Sequence, residues 1–130
     1  WIAINTKMEM HLSEIIDRMT IVKLKIERIG ESHLEEEYKE YEIAIKEFEK
    51  KGIKIKDEWF SRLYETNRKI WDLESDIRKG KENELGLEEV GRRAIEIRNI
   101  NQQRVSIKNQ ITEETGSGFK DIKMNHASAE

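Results

Sequence analysis

"LSEIIDRMTIVKLKIERIG", residues 12–30, decides the fold. Within it Leu12, Ile15, Met19, Val22, Ile26 and Ile29 recur at alternating steps of three and four. That spacing aligns side chains along one face of an α-helix. Ser13 is an early cap and Gly30 a stop. Asp17 and Thr20 lie one step off the stripe, on the flank that includes Ser13 and Leu24.

The same rhythm returns downstream. Ser32 with Glu35 makes a capping-box pattern, and Leu34, Tyr38, Tyr41, Ile45 and Phe48 carry a second helix to Gly52. "KGIKIK" is a connector with Ile53 and Ile55 tucked inward, and Asp57 caps a third helix that runs to about Arg78. Gly80, Asn83 and Gly86 break the chain before a fourth helix from Leu87 to about Glu114. The expectation is an all-α fold: an antiparallel bundle of about four helices over residues 12–114, each stripe buried against its neighbours. A short extended arm, "WIAINTKM" and the residues after it, covers 1–11. A tail covers 115–130, with Phe119, Ile122 and Met124 available to strap it down.

Composition agrees with helices. The 130 residues contain no Pro and 39% charged residues, many of them Glu, Lys and Arg, which are good helix formers. The absence of Cys removes disulfides, thiolate metal sites and Cys nucleophiles, and makes a reducing cytoplasm the expected location. A net charge of -3 with interleaved signs argues against duplex nucleic acid as a partner. No apolar run approaches the roughly 20 residues that span a bilayer, and no signal-peptide succession opens the chain, so no membrane partner is expected. The chain starts at Trp1 rather than Met, and the expectation is a fragment, a processed form or an ordered part, with Met8 or Met10 as candidate starts.

The apolar pattern fails in the second half. On the third helix the stripe reads Phe60, Leu63, Asn67, Ile70, Glu74, Ile77. On the fourth it reads Val90, Ala94, Ile97, Asn101, Arg104, Lys108, Ile111. A hairpin folding near Asn83 sets Asn67 level with about Asn99 and Glu74 with about Arg92, with Trp71 beside them. Buried without partners, such groups cost roughly 1 to 3 kcal/mol each. Two outcomes follow. Asp17, Asn67, Glu74, Arg92 and Arg104 join one another across helices and set register, or Arg and Asn side chains line a cleft for an anionic ligand with Trp71 as a stacking wall.

Other chemistry is sparse. Glu37 with Glu40 and Asp72 with Asp76 share helical faces, as a magnesium-dependent nucleotide hydrolase would require, but acids that alternate with Lys more often form a solvated face. His11, His33 and His126 are scattered, so no metal site and no cofactor is expected. No nucleophile elbow, P-loop or dinucleotide fingerprint occurs.

"SEIIDRMTIVKLKIERI", "NRKIWDLESDIR" and "NINQQRVSIKNQIT" with "GSGFKDIK" together resemble a family of short helical bacterial and viral proteins catalogued as a domain of unknown function. Its pattern is D-K-x-T-I-L-x-I-K-x-E-R-I, then N-x-x-L-W-D-x-E-D-x-I-R, then N-D-x-R. The match runs through Asp17, Thr20, Lys25, Asn67, Trp71, Glu74, Asn101, Arg104 and Lys108, with Ser75 interposed where the family places a second acid. A second unknown-function family, seen beside sugar-transfer enzymes, shares the W-x-x-E-D and N-Q-x-R elements. The resemblance names no reaction.

The functional expectation is a non-catalytic binding protein for a small anionic ligand, a nucleotide or sugar nucleotide. Its site is Asp17, Thr20, Asn67, Trp71, Glu74, Arg92, Asn101, Arg104 and Lys108. A phage-type protein that sequesters a nucleotide signal is one version. The bundle is itself expected to be a homo-oligomer, dimeric or higher. The alternatives are an assembly module that forms homo- or hetero-oligomers through apolar surface such as Trp59, Phe60 and Tyr64, and the magnesium-dependent hydrolase.

Overall fold

The computed structural model of the chain describes residues 10–116. Among them lie α1 (Leu12–Arg28), α2 (Ser32–Lys50), α3 (Asp57–Arg78), the single turn α4 (Glu82–Leu85) and α5 (Leu87–Thr115), with no strand. The helical bundle is as expected, apart from the turn α4 inside a stretch read as breakers. Apart from their inner ends, the arm over 1–11 and the tail over 115–130 fall outside the described residues.

Cross-helix pairs fix the directions. Lys56 reaches Glu114 and Arg62 reaches Gln110, so α3 and α5 are antiparallel. Arg104 reaches Asp17 and Lys108 reaches Glu14, so α5 also opposes α1. Asn67 meets Asp17 and Arg28 meets Asp72, so α1 and α3 run the same way. The α3/α5 hairpin folds about Leu85 and Gly86 rather than Asn83. Gly86 carries the turn at φ +82°, a left-handed conformation that a side chain would strain. Gly30 likewise ends α1 at φ +76°, its N–H closing onto Lys25 O.

The expected capping residues sit one position too deep. Ser32 and Asp57 are the first helical residues, preceded by Glu31 and Lys56, neither of which caps with its side chain. Ser13 is inside α1 and buried.

α1 is the central element. Leu12 and Ile16 pack with Trp59, Leu63, Ile107 and Ile111 from the α3/α5 hairpin. Ile15, Met19 and Val22 pack on the other side with Leu34, Tyr41 and Ala44 of α2. Ile53 and Ile55 pack inward from the connector, as expected. The helix is thus covered nearly all round toward its N-terminal end, and its flank of Ser13, Asp17, Thr20 and Leu24 is as buried as its apolar stripe. The far end of the stripe departs from expectation, because Ile29 is 53% exposed.

Trp59, expected as surface for assembly, is 1% exposed at the centre of the first cluster. Phe60 is partly buried against both clusters, and Tyr64 donates to Glu27. An aromatic at the start of α3 faces α1 because the two helices run in parallel from that end, a relation that local spacing does not encode.

Trp59→Ala should lower unfolding free energy by about 3 to 5 kcal/mol, whereas Ile43→Ala, on an exposed face of α2, should stay within about 0.5 kcal/mol. Urea denaturation followed by circular dichroism measures both.

Candidate functional site

Asp17 is 0% exposed, and its carboxylate is the junction of three helices. Arg104 on α5 donates from Nε to Oδ1 at 3.1 Å and from Nη2 to Oδ2 at 2.9 Å, a forked pairing of two charged groups. Asn67 on α3 donates from Nδ2 to Asp17 Oδ1 at 2.9 Å and to Thr20 Oγ1 at 2.8 Å. The Thr20 hydroxyl in turn donates to Asp17 O at 2.6 Å. Both Asn67 amide hydrogens and the Thr20 hydroxyl meet an acceptor here, and so does the Arg104 Nε–H. A buried carboxylate alone would cost several kcal/mol, and this arrangement supplies the charge and hydrogen bonds that offset it.

The network continues along α5 in both directions. Arg104 Nη1 donates to Asn101 Oδ1 at 3.1 Å. One turn further, Lys108 Nζ donates to Glu14 at 2.6 Å, and Arg18 reaches the same carboxylate at 2.9 Å. Burial alone would raise the Glu14 pKa, but the bonds from Lys108 and Arg18 prevail and hold it below its ordinary value.

Where Arg104 emerges from the interior, a cleft of about 340 Å³ opens between α1, α2 and α5. Arg18, Ile21 and Lys25 line it from α1, and Glu37 and Tyr41 from α2. Arg18 bonds Tyr41 as well as Glu14. A larger groove of about 560 Å³ follows the outer seam of α3 and α5, past Arg62, Thr66, Lys69, Gln103 and Ser106. Its buried polar member, Thr66, donates to Leu63 O at 2.9 Å, so that hydroxyl needs no ligand.

Of the residues singled out in the sequence, Asp17, Thr20, Asn67, Asn101, Arg104 and Lys108 come together. Trp71, Glu74 and Arg92 do not join them. The Arg28 and Arg78 guanidinium groups lie over the Trp71 ring, at 5.9 and 4.4 Å from its centre. Glu74 pairs with Arg78 on its own helix at 3.5 Å, not with Arg92. Arg92 pairs with Glu89 and Glu96 at 2.7 and 2.8 Å. The physical reason is the end of α1. Arg28 closes that helix level with Asp72, so polar side chains further out on the hairpin meet no third helix among the described residues.

Glu14, Arg18, Lys25, Glu37 and Tyr41 were missed as site residues. Their signal was present in part, because Glu14, Arg18, Ile21 and Lys25 follow the same three-four spacing as the apolar stripe, one face over. Among the described residues, no three His, Asp or Glu side chains gather as a metal-holding group. Asp72 pairs with Arg28 and Arg68, and Asp76 with Arg93. No family model matches the chain, and neither does any curated protein or solved structure.

Asn67→Ala should cost about 1 to 3 kcal/mol, since it leaves Asp17 and Thr20 short of a buried partner; Glu74→Ala should stay within about 0.5 kcal/mol. Chemical denaturation separates them. Because the Glu14 pKa is lowered on folding, its contribution is present above the ordinary value of 4.5 and is lost as pH falls through the folded-state pKa. Glu14→Gln should flatten that acid limb in a series of melting curves, and an unchanged limb would remove Glu14 as its source.

Proposed function

We propose that the protein is a non-catalytic binding protein for a small anionic ligand of the nucleotide or sugar-nucleotide class, held in the cleft between α1, α2 and α5. The observation that carries this reading is the setting of Arg104. Asp17 fixes the guanidinium in one orientation from behind, and its remaining N–H groups, one on each terminal nitrogen, are not engaged by Asp17 or Asn101. A planar fork already held in place loses little conformational freedom when it meets a phosphate.

The walls supply matching chemistry. Lys25 has no side-chain partner among the described residues and adds a second cation. Glu37, equally unpaired, accepts hydroxyl donors such as those of a ribose or hexose. Within the cleft the carboxylates Asp17 and Glu14 are already taken by Arg104, Arg18 and Lys108, so they repel an incoming anion less than their number implies. Binding without turnover fits this lining, which brings Arg104 and Lys25 to an anion with no gathered acids to hold a metal ion. Sequestration of a nucleotide signal is the biological version of this proposal.

Titration calorimetry with a panel of nucleotides and sugar nucleotides tests it. At least one ligand should bind, and Lys25→Ala should weaken that binding about 10- to 150-fold, the loss of a charged hydrogen bond, with an unchanged melting temperature. The same panel with magnesium should show no turnover. Absence of binding across the panel at millimolar concentration contradicts the proposal.

A further inference from the structure

The N-terminal half of α5 has apolar residues on two opposite sides. One side faces α3: Ile100 is buried, Ile97 is half-buried, and Arg93 reaches back to Leu73 O and Asp76. The other side faces solvent and consists of Leu87, Gly91, Ala94, Ile95 and Arg98, within about 100° of arc on a helix. Leu87 is 90% exposed and Ile95 55%. Between Asn67 and Ile100 no described residue is buried, so this part of the hairpin projects beyond the bundle's core.

Two features of the solvent side have no account among the described residues. Gly91 sits inside a helix, where Gly destabilises relative to Ala, yet it has no positive φ, and a Cβ built there meets nothing within 4 Å. Glu88 and Arg98 have no partner among the described residues. Their neighbours Arg92, Arg93, Arg104 and Lys108 are all paired.

We propose that this face of α5 binds the same face of a second copy of the chain, the two helices crossing antiparallel about a two-fold axis level with Arg93. Two separate complementarities select that axis. Gly91 and Ile95 lie equally far on either side of Arg93, so Ile95 of each copy enters the space above Gly91 of the other. Glu88 and Arg98 also lie equally far from Arg93, so each unpaired charge meets its opposite. Ala94, beside the axis, permits the close approach that a small contact residue allows. Leu87 then covers the aliphatic stem of Arg98 from the other copy. A parallel pairing instead sets Glu88 against Glu88 and leaves Gly91 facing Gly91. The contact is isologous, as a two-fold dimer requires, and leaves the cleft at Arg104 untouched.

Sedimentation equilibrium of the full chain across a concentration series tests this, with circular dichroism confirming that each variant is folded. The wild type should show a monomer–dimer equilibrium. Glu88→Arg and Arg98→Glu should each weaken it about tenfold by creating like-charge contacts, and the double swap E88R/R98E should restore it. Gly91→Leu should weaken association while raising the melting temperature of the dilute monomer, because the helix gains what the interface loses. A monomer at every concentration overturns the proposal. So does a dimer that the single swaps leave unchanged, or a double swap no better than either single one.

Discussion

The Asp17 carboxylate is the constraint on which the rest of this structure depends. It lies in the middle of α1, out of contact with water, and is held by Arg104 from α5 and Asn67 from α3. An apolar residue of similar size at such a position often gives equal or greater stability. What a carboxylate adds is discrimination: an axial slip of α5 by one turn, about 5.4 Å, separates Arg104 from Asp17 and leaves both charges unsatisfied. Leu and Ile stripes tolerate such a slip far better, because one apolar contact replaces another.

Around that fixed point the bundle divides into three regions. Below it, toward the chain ends of α1 and α5, the interior is apolar and Trp59 fills it. At its level, charge passes from the interior to the surface through Arg104, and the cleft opens where that happens. Above it, α1 ends at Arg28 and the α3/α5 hairpin continues with no third helix among the described residues to cover it. The two proposed functions, ligand binding and self-association, use the second and third regions, so either can fail without the other.

Most of the helical frame was legible because three-four spacing is a local property. The residues of the network were also legible, since Asn67, Asn101, Arg104 and Lys108 are polar interruptions of stripes that begin apolar. What spacing could not show is which level of one helix meets which level of another. The hairpin folds about two residues later than the Gly and Asn breakers implied, which moves Asn67 opposite Arg104 instead of Asn99. The end of α1 then decides that Glu74, on the same stripe as Asn67, pairs along its own helix, as does Arg92, which lies off the α5 stripe. Asp17 looked like a flank residue for the same reason: a helix packed on several sides has no flank. Trp59 was misplaced because the cluster around it is assembled from segments distant in sequence, Leu12 and Ile16 of α1 and Ile107 and Ile111 of α5 among them.

A double-mutant cycle across Asp17→Asn and Arg104→Gln, read by urea denaturation, tests the central claim most directly. If the carboxylate and guanidinium set the register as a pair, each single change should destabilise strongly. The double change should then recover a coupling energy of about 2 kcal/mol or more, within the range measured for groups in one network. A coupling near zero, with the single losses simply adding, would contradict it.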